Sequence, residues 1–78
     1  MKTAEELGVI LRKMYDNAPR KEQVTFIHLF GIKFAEEIKA EGIKAVVDIS
    51  GIPSTYKTEV NKGVNLSKYV TKKSKLDS

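Results

Sequence analysis

Seventy-eight residues that are 41% hydrophobic suffice for one domain near the lower size limit of a self-sufficient core, and are too apolar for a disordered chain. The absence of cysteine excludes a disulfide framework and a thiolate metal site, and no apolar run approaches the roughly 18–20 residues of a membrane-crossing helix. The net charge of +4 is uneven: residues 1–56 balance eight basic against eight acidic side chains, whereas residues 57–78 carry six lysines against Glu59 and Asp77.

Thr3 with Glu6 three residues later spells a capping box, and Leu7, Ile10, Leu11, Met14 and Tyr15 follow at helical spacing, so a first helix is expected over about 3–16. Pro19 ends it, because proline disfavours helical geometry in the residue before it. Beyond this point the chain repeats a glycine followed by a β-branched residue, at Gly31-Ile32, Gly42-Ile43, Gly51-Ile52 and Gly63-Val64. Helices closed by a left-handed glycine, with the next apolar residue folded back on the last turn, have this signature. Gly31 could sit inside one long helix or separate two short ones, and the repeated pattern favours separation, so short helices are expected at about 20–30, 33–41, 44–50 and 54–62, with a further segment at about 65–72 carrying Leu66, Tyr69 and Val70. The fold class expected is all-α, a compact bundle of four to six short helices. The β-branched run Lys44–Ser50 and the weak alternation after Gly63 leave an α+β arrangement with a two-stranded sheet as the alternative. Residues 1–71 form a single domain, and residues 72–78, almost devoid of apolar side chains, are expected to be a basic disordered tail.

Catalytic chemistry finds little support. His28 is the single histidine, set among apolar neighbours, and reads as a structural residue; spacing nominates no nucleophile–base–orienter set. Glu36, Glu37 and Glu41 form a solvated acidic face, not a metal site, since no histidine or cysteine accompanies them. There is no glycine-rich phosphate loop. No enzymatic activity, cofactor, metal or small-molecule substrate is expected. The charged N-terminus, which offers no signal-peptide apolar region, leads to the expectation of a cytoplasmic protein.

The informative stretch is Ala45–Val60, AVVDISGIPSTYKTEV. It reads as an apolar helix, a tight turn at Gly51-Ile52-Pro53, and a second helix that starts at Ser54 or Thr55 and is capped by Ser54. In that helix Tyr56 and Val60 face inward, while Thr55, Lys57, Thr58, Asn61 and Lys62 largely face out. The outward types suit DNA: lysine for phosphate or guanine, asparagine for adenine, threonine for phosphate or a thymine methyl. The segment resembles a helix-turn-helix, and the chain resembles small prokaryotic helix-turn-helix-like domains. It departs from the usual pattern in two places. Val47 stands where alanine is favoured, and Lys57 stands where a buried aliphatic is favoured, with the apolar position one earlier at Tyr56. Val24–Ile38 also reads as helix, glycine turn, helix, but its second half bears Glu36 and Glu37, which repel phosphates.

The expected function is therefore that of a regulatory, double-stranded DNA-binding domain. Thr55, Thr58 and Asn61 would contact bases; Lys57, Lys62 and Lys68 would contact phosphates, with Lys72 and Lys73 as an adjoining basic arm. A module this small binds weakly by itself, so a homodimer is expected, with helix 3–16 as a candidate dimer face. The alternative is a protein–protein adaptor with no nucleic-acid role.

Overall fold

In the computed structural model, which describes residues 1–70, five α-helices follow one another: α1 (Ala4–Asn17), α2 (Gln23–Lys33), α3 (Ala35–Glu41), α4 (Ile43–Ser50) and, after a 3-10 turn at Ser54–Tyr56, α5 (Lys57–Leu66). The described residues contain no strand. The β-branched run is helical because burial falls on Val46, Val47 and Ser50 together. A strand would turn Val46 and Val47 to opposite faces, whereas a helix keeps positions i, i+1 and i+4 on one side. The basic tail expected at residues 72–78 lies outside the described residues, as do Lys72 and Lys73.

Helix α1 begins as its sequence dictates. Glu6 N–H donates to Thr3 Oγ1 at 3.2 Å and Thr3 N–H to Glu6 Oε1 at 2.9 Å, satisfying two orphan donors. A third end group is tied by tertiary structure, since Ala4 N–H donates to the Glu41 carboxylate at 3.1 Å. Glu41 thus serves as an anion at the positive end of α1. The helix stops at Asn17, and Ala18, before Pro19, is extended at ψ 139°, as the proline requires. The connection to α2 is a β-turn in which Glu22 N–H donates to the Pro19 carbonyl at 2.9 Å and Lys21 sits at φ +75°.

Two of the four glycines behave as the punctuation predicts. Gly42 (φ +95°) separates α3 from α4, and Gly51 (φ +79°) closes α4 with its N–H donating to the carbonyls of Val47 and Asp48; the buried Ile52 folds back beneath it. Gly31 and Gly63 do not end helices: the first lies inside α2 and the second inside α5. The break between α2 and α3 falls instead at Phe34, whose backbone leaves helical geometry at φ −112°, ψ 27°, while its ring packs 5.4 Å from that of Phe30. The helix expected at 54–62 and the first residues of the segment expected at 65–72 form one helix, α5, preceded by the 3-10 turn and followed by turn structure at 67–70, while residues 71 and 72 lie outside the described residues. Ser54 lies within that 3-10 turn instead of capping a helix; Pro53 holds the N-cap position and its carbonyl accepts from Tyr56 N–H at 3.0 Å.

The reason for the two helical glycines is the crossing of α2 and α5. A Cβ at Gly31 would stand 2.6 Å from the Val60 carbonyl oxygen and 2.9 Å from the Gly63 Cα, and one at Gly63 would press on the His28 carbonyl. The two helices touch backbone to backbone there, which only glycine on both sides allows. Around this seam Leu7, Leu11, Ile27, Phe30, Ile38, Val46, Val47 and Val60 are fully buried, each contributing roughly 1.5–3 kcal/mol in removal from water.

Candidate nucleic-acid interface

The α4–turn–α5 unit is held on its inner side by residues that fix how α5 is presented. Ser50 is buried; its hydroxyl donates to the Val47 carbonyl at 2.6 Å and accepts from Ile52 N–H at 3.2 Å, so the turn is fastened from within. An Arg12 Nη1 approaches the Ser50 carbonyl at 3.5 Å, placing a cation at the negative end of α4. Tyr56 packs edge-on against Tyr15 of α1, centroids 5.4 Å apart. This contact accounts for the apolar position one residue early: the 3-10 turn carries Tyr56, not residue 57, into the interhelical space. Val47 is accommodated at full burial.

Position by position, Thr55, Thr58, Asn61, Lys62 and Lys68 are exposed, and Lys57 is only half-buried. Thr58, Asn61 and Lys62 share one outward stripe at spacings of three and four. Lys57 lies close enough to Asp48 of α4 for its charge to act on that carboxyl. The carboxyl of Asp48 is held below its ordinary value first by the hydrogen bond from Lys44 Nζ at 2.8 Å, and further by the charges of Lys44 and Lys57. Half-buried beside α4, Lys57 flanks the outward stripe and is not a member of it.

Two residues, Asn65 and Tyr69, belong to this surface although neither was expected to make a contact there. Because α5 runs through Gly63, Asn65 continues the stripe at i+3 from Lys62, and Tyr69, 77% exposed, closes it. Together with His28, Lys62 and Leu66 they line a shallow, largely apolar groove. The signal was present as the i, i+3, i+7 spacing of Lys62, Asn65 and Tyr69, and treating Gly63 as a terminator hid it. His28 Nε2 lies 2.7 Å from Glu59 Oε1, and Glu59 Oε2 lies 3.8 Å from Lys62 Nζ. With both partners about three-quarters buried, the histidine draws the acid of α5 toward α2. The outward stripe is left with threonine, asparagine, lysine and tyrosine.

Among the described residues no group of three or more His, Cys, Asp or Glu side chains could hold a metal ion, and no helix is long and apolar enough to cross a membrane. The family model of the HTH-like domain matches residues 3–73. No curated protein and no solved structure matches the chain. The match spans nearly the whole sequence, so the chain belongs to the HTH-like domain family, an architecture of DNA-binding or regulatory type.

Proposed function

We propose that this HTH-like domain binds double-stranded DNA by laying α5 along the major groove, in the service of transcription regulation in a prokaryotic cytoplasm. The observation that carries the reading is the outward stripe of α5, where Thr58, Asn61, Lys62 and Asn65 are exposed together on a helix whose opposite side is anchored by Val60 and Val64. Asn61 and Asn65 can each donate to and accept from the edge of an adenine, and threonine methyls suit thymine. Lys62, Lys68 and the flanking Lys57 supply phosphate contacts, with Lys72 and Lys73 extending them; Thr55 stands at the approach to the helix. About four phosphates neutralised would give a slope near −3 to −4 for log affinity against log salt.

The test is a fluorescence titration of the chain with random-sequence duplex DNA at two salt concentrations, repeated with Lys57→Glu and Lys62→Glu together. Salt-sensitive binding that the double variant loses supports the reading; an affinity unchanged from low to physiological salt overturns it. One observation favours a second reading, a protein–protein module. Leu66 and Tyr69 are 41% and 77% exposed at the edge of the same face, and apolar surface rimmed by polar groups suits a protein partner. On that reading Tyr69→Ala abolishes partner binding, and DNA at low salt leaves the protein untouched.

A further inference from the structure

Helix α1 turns its core stripe inward through Leu7 and Leu11, which leaves an outward sector centred on Val9. At 100° per residue, helical positions 5, 6, 12, 13 and 16 all fall within about 60° of Val9, and all five are charged; Lys2 precedes the helix. Val9 itself is 55% exposed, and it lines a shallow groove with Lys2, Glu5, Glu6 and Ile10. A lone exposed valine needs no explanation. The order of the charges around it is what calls for one.

Going outward from Val9 toward the N-terminus, the signs are acidic, acidic, basic (Glu6, Glu5, Lys2). Toward the C-terminus they are basic, basic, acidic (Arg12, Lys13, Asp16). The face is its own complement under a two-fold axis through Val9. We propose that α1 is the contact face of a homodimer, in which a second copy packs its own α1 antiparallel across it.

In that arrangement Val9 meets Val9. The Glu5–Glu6 pair stands against the second copy's Arg12–Lys13 pair, and Lys2 stands against its Asp16. A parallel pairing would set like charges together, so the pattern selects one orientation. Antiparallel helices also align their dipoles favourably. Arg12 already donates from Nε to Asp16 at 2.9 Å, yet its guanidinium carries further donors for a carboxylate across the axis. A single helix pair covers less than the roughly 800 Å² per partner of a standard interface, so the dimer is weak and forms with rising concentration. The inference stands on α1 and not on the DNA reading.

Sedimentation equilibrium of the full chain without nucleic acid, from about 10 μM to about 1 mM, tests it. The expected result is a monomer–dimer equilibrium. Glu5→Lys and Lys13→Glu, both on exposed residues, each weaken the dimer at least tenfold. An equimolar mixture of the two restores wild-type association, because each introduced charge then meets its opposite. Circular dichroism checks that both variants fold, and Val9→Lys gives a second break of the same face. A wild type that stays monomeric throughout overturns the proposal, as does a dimer indifferent to the charge swaps or a mixture that fails to recover.

Discussion

The inward residues Val60, Gly63 and Val64 and the outward residues Thr58, Asn61, Lys62 and Asn65 are interleaved along one ten-residue helix. On the inward side α5 meets the α2 backbone so closely that a methyl group has no room. On the outward side each of those four residues is exposed. Position is thus set by the face with the smallest side chains, and chemistry is offered by the face with the most polar ones. Substitutions on the two faces should therefore fail in different measurements, one in thermal unfolding and the other in binding.

The largest expected effect is on the seam. Gly63→Val should destabilise the fold by about 3 kcal/mol, because the new atoms press on the His28 backbone and cannot be relieved by a rotamer change. For a domain of this size that lowers the unfolding midpoint by roughly 12–24 °C, read by circular dichroism; a midpoint shift of a degree or two would show that the helices are not in backbone contact. Next comes the outward face. Asn61→Ala or Asn65→Ala should leave the midpoint unchanged while costing about 1–3 kcal/mol of sequence preference in DNA titrations. A matching loss of stability would mean that these residues are structural and that the two faces are not separable.

A smaller change probes how the turn aims α5. Gly51→Ala places a side chain at φ +79° with an Arg12 Nη1 only 3.2 Å from the new Cβ, and should cost about 1 kcal/mol. Its counterpart far from α5 is Lys21→Gly, which relieves a left-handed lysine and should raise stability by about 0.5–1 kcal/mol in urea unfolding. The smallest effect concerns pH. Asp48 titrates below its ordinary value of 3.8 because Lys44 binds its charged form. Its contribution is therefore fully present above the ordinary carboxylate range and fades as pH falls through the lowered value. Asp48→Asn should flatten that acid limb slightly, and an unchanged limb would show that the exposed pair is idle.

Most of the α1 and α4–turn–α5 organisation was legible in the chain, because capping boxes, left-handed glycines and prolines act through local backbone geometry. Thr3, Glu6, Pro19, Gly42 and Gly51 all do what their types dictate nearby. Gly31 and Gly63 were misread for the opposite reason. Their role is non-local, a match between two helices about thirty residues apart, and a glycine needed for close approach looks the same in one sequence as a glycine needed for positive φ. The error then spread to the site, since ending α5 at residue 62 detached Asn65 and Tyr69 from the stripe that holds Asn61 and Lys62. The half-burial of Lys57 was likewise hidden, because it follows a 3-10 turn whose Tyr56 packs on Tyr15 across the fold.

The glycine crossing also has a consequence for the order in which the molecule assembles. The surface that α2 presents at Gly31 has no complement until α5 has been synthesised, and α1 in turn waits for α4. Helices α1 and α2 touch each other, but each makes its larger contact with a later helix, and isolated helices of 11 and 14 residues are marginal in water. Folding is therefore expected to be all-or-none. A fragment ending at Ser50 should be unfolded, and adding residues 51–66 should restore the whole helical signal in one step, not in proportion to the length added.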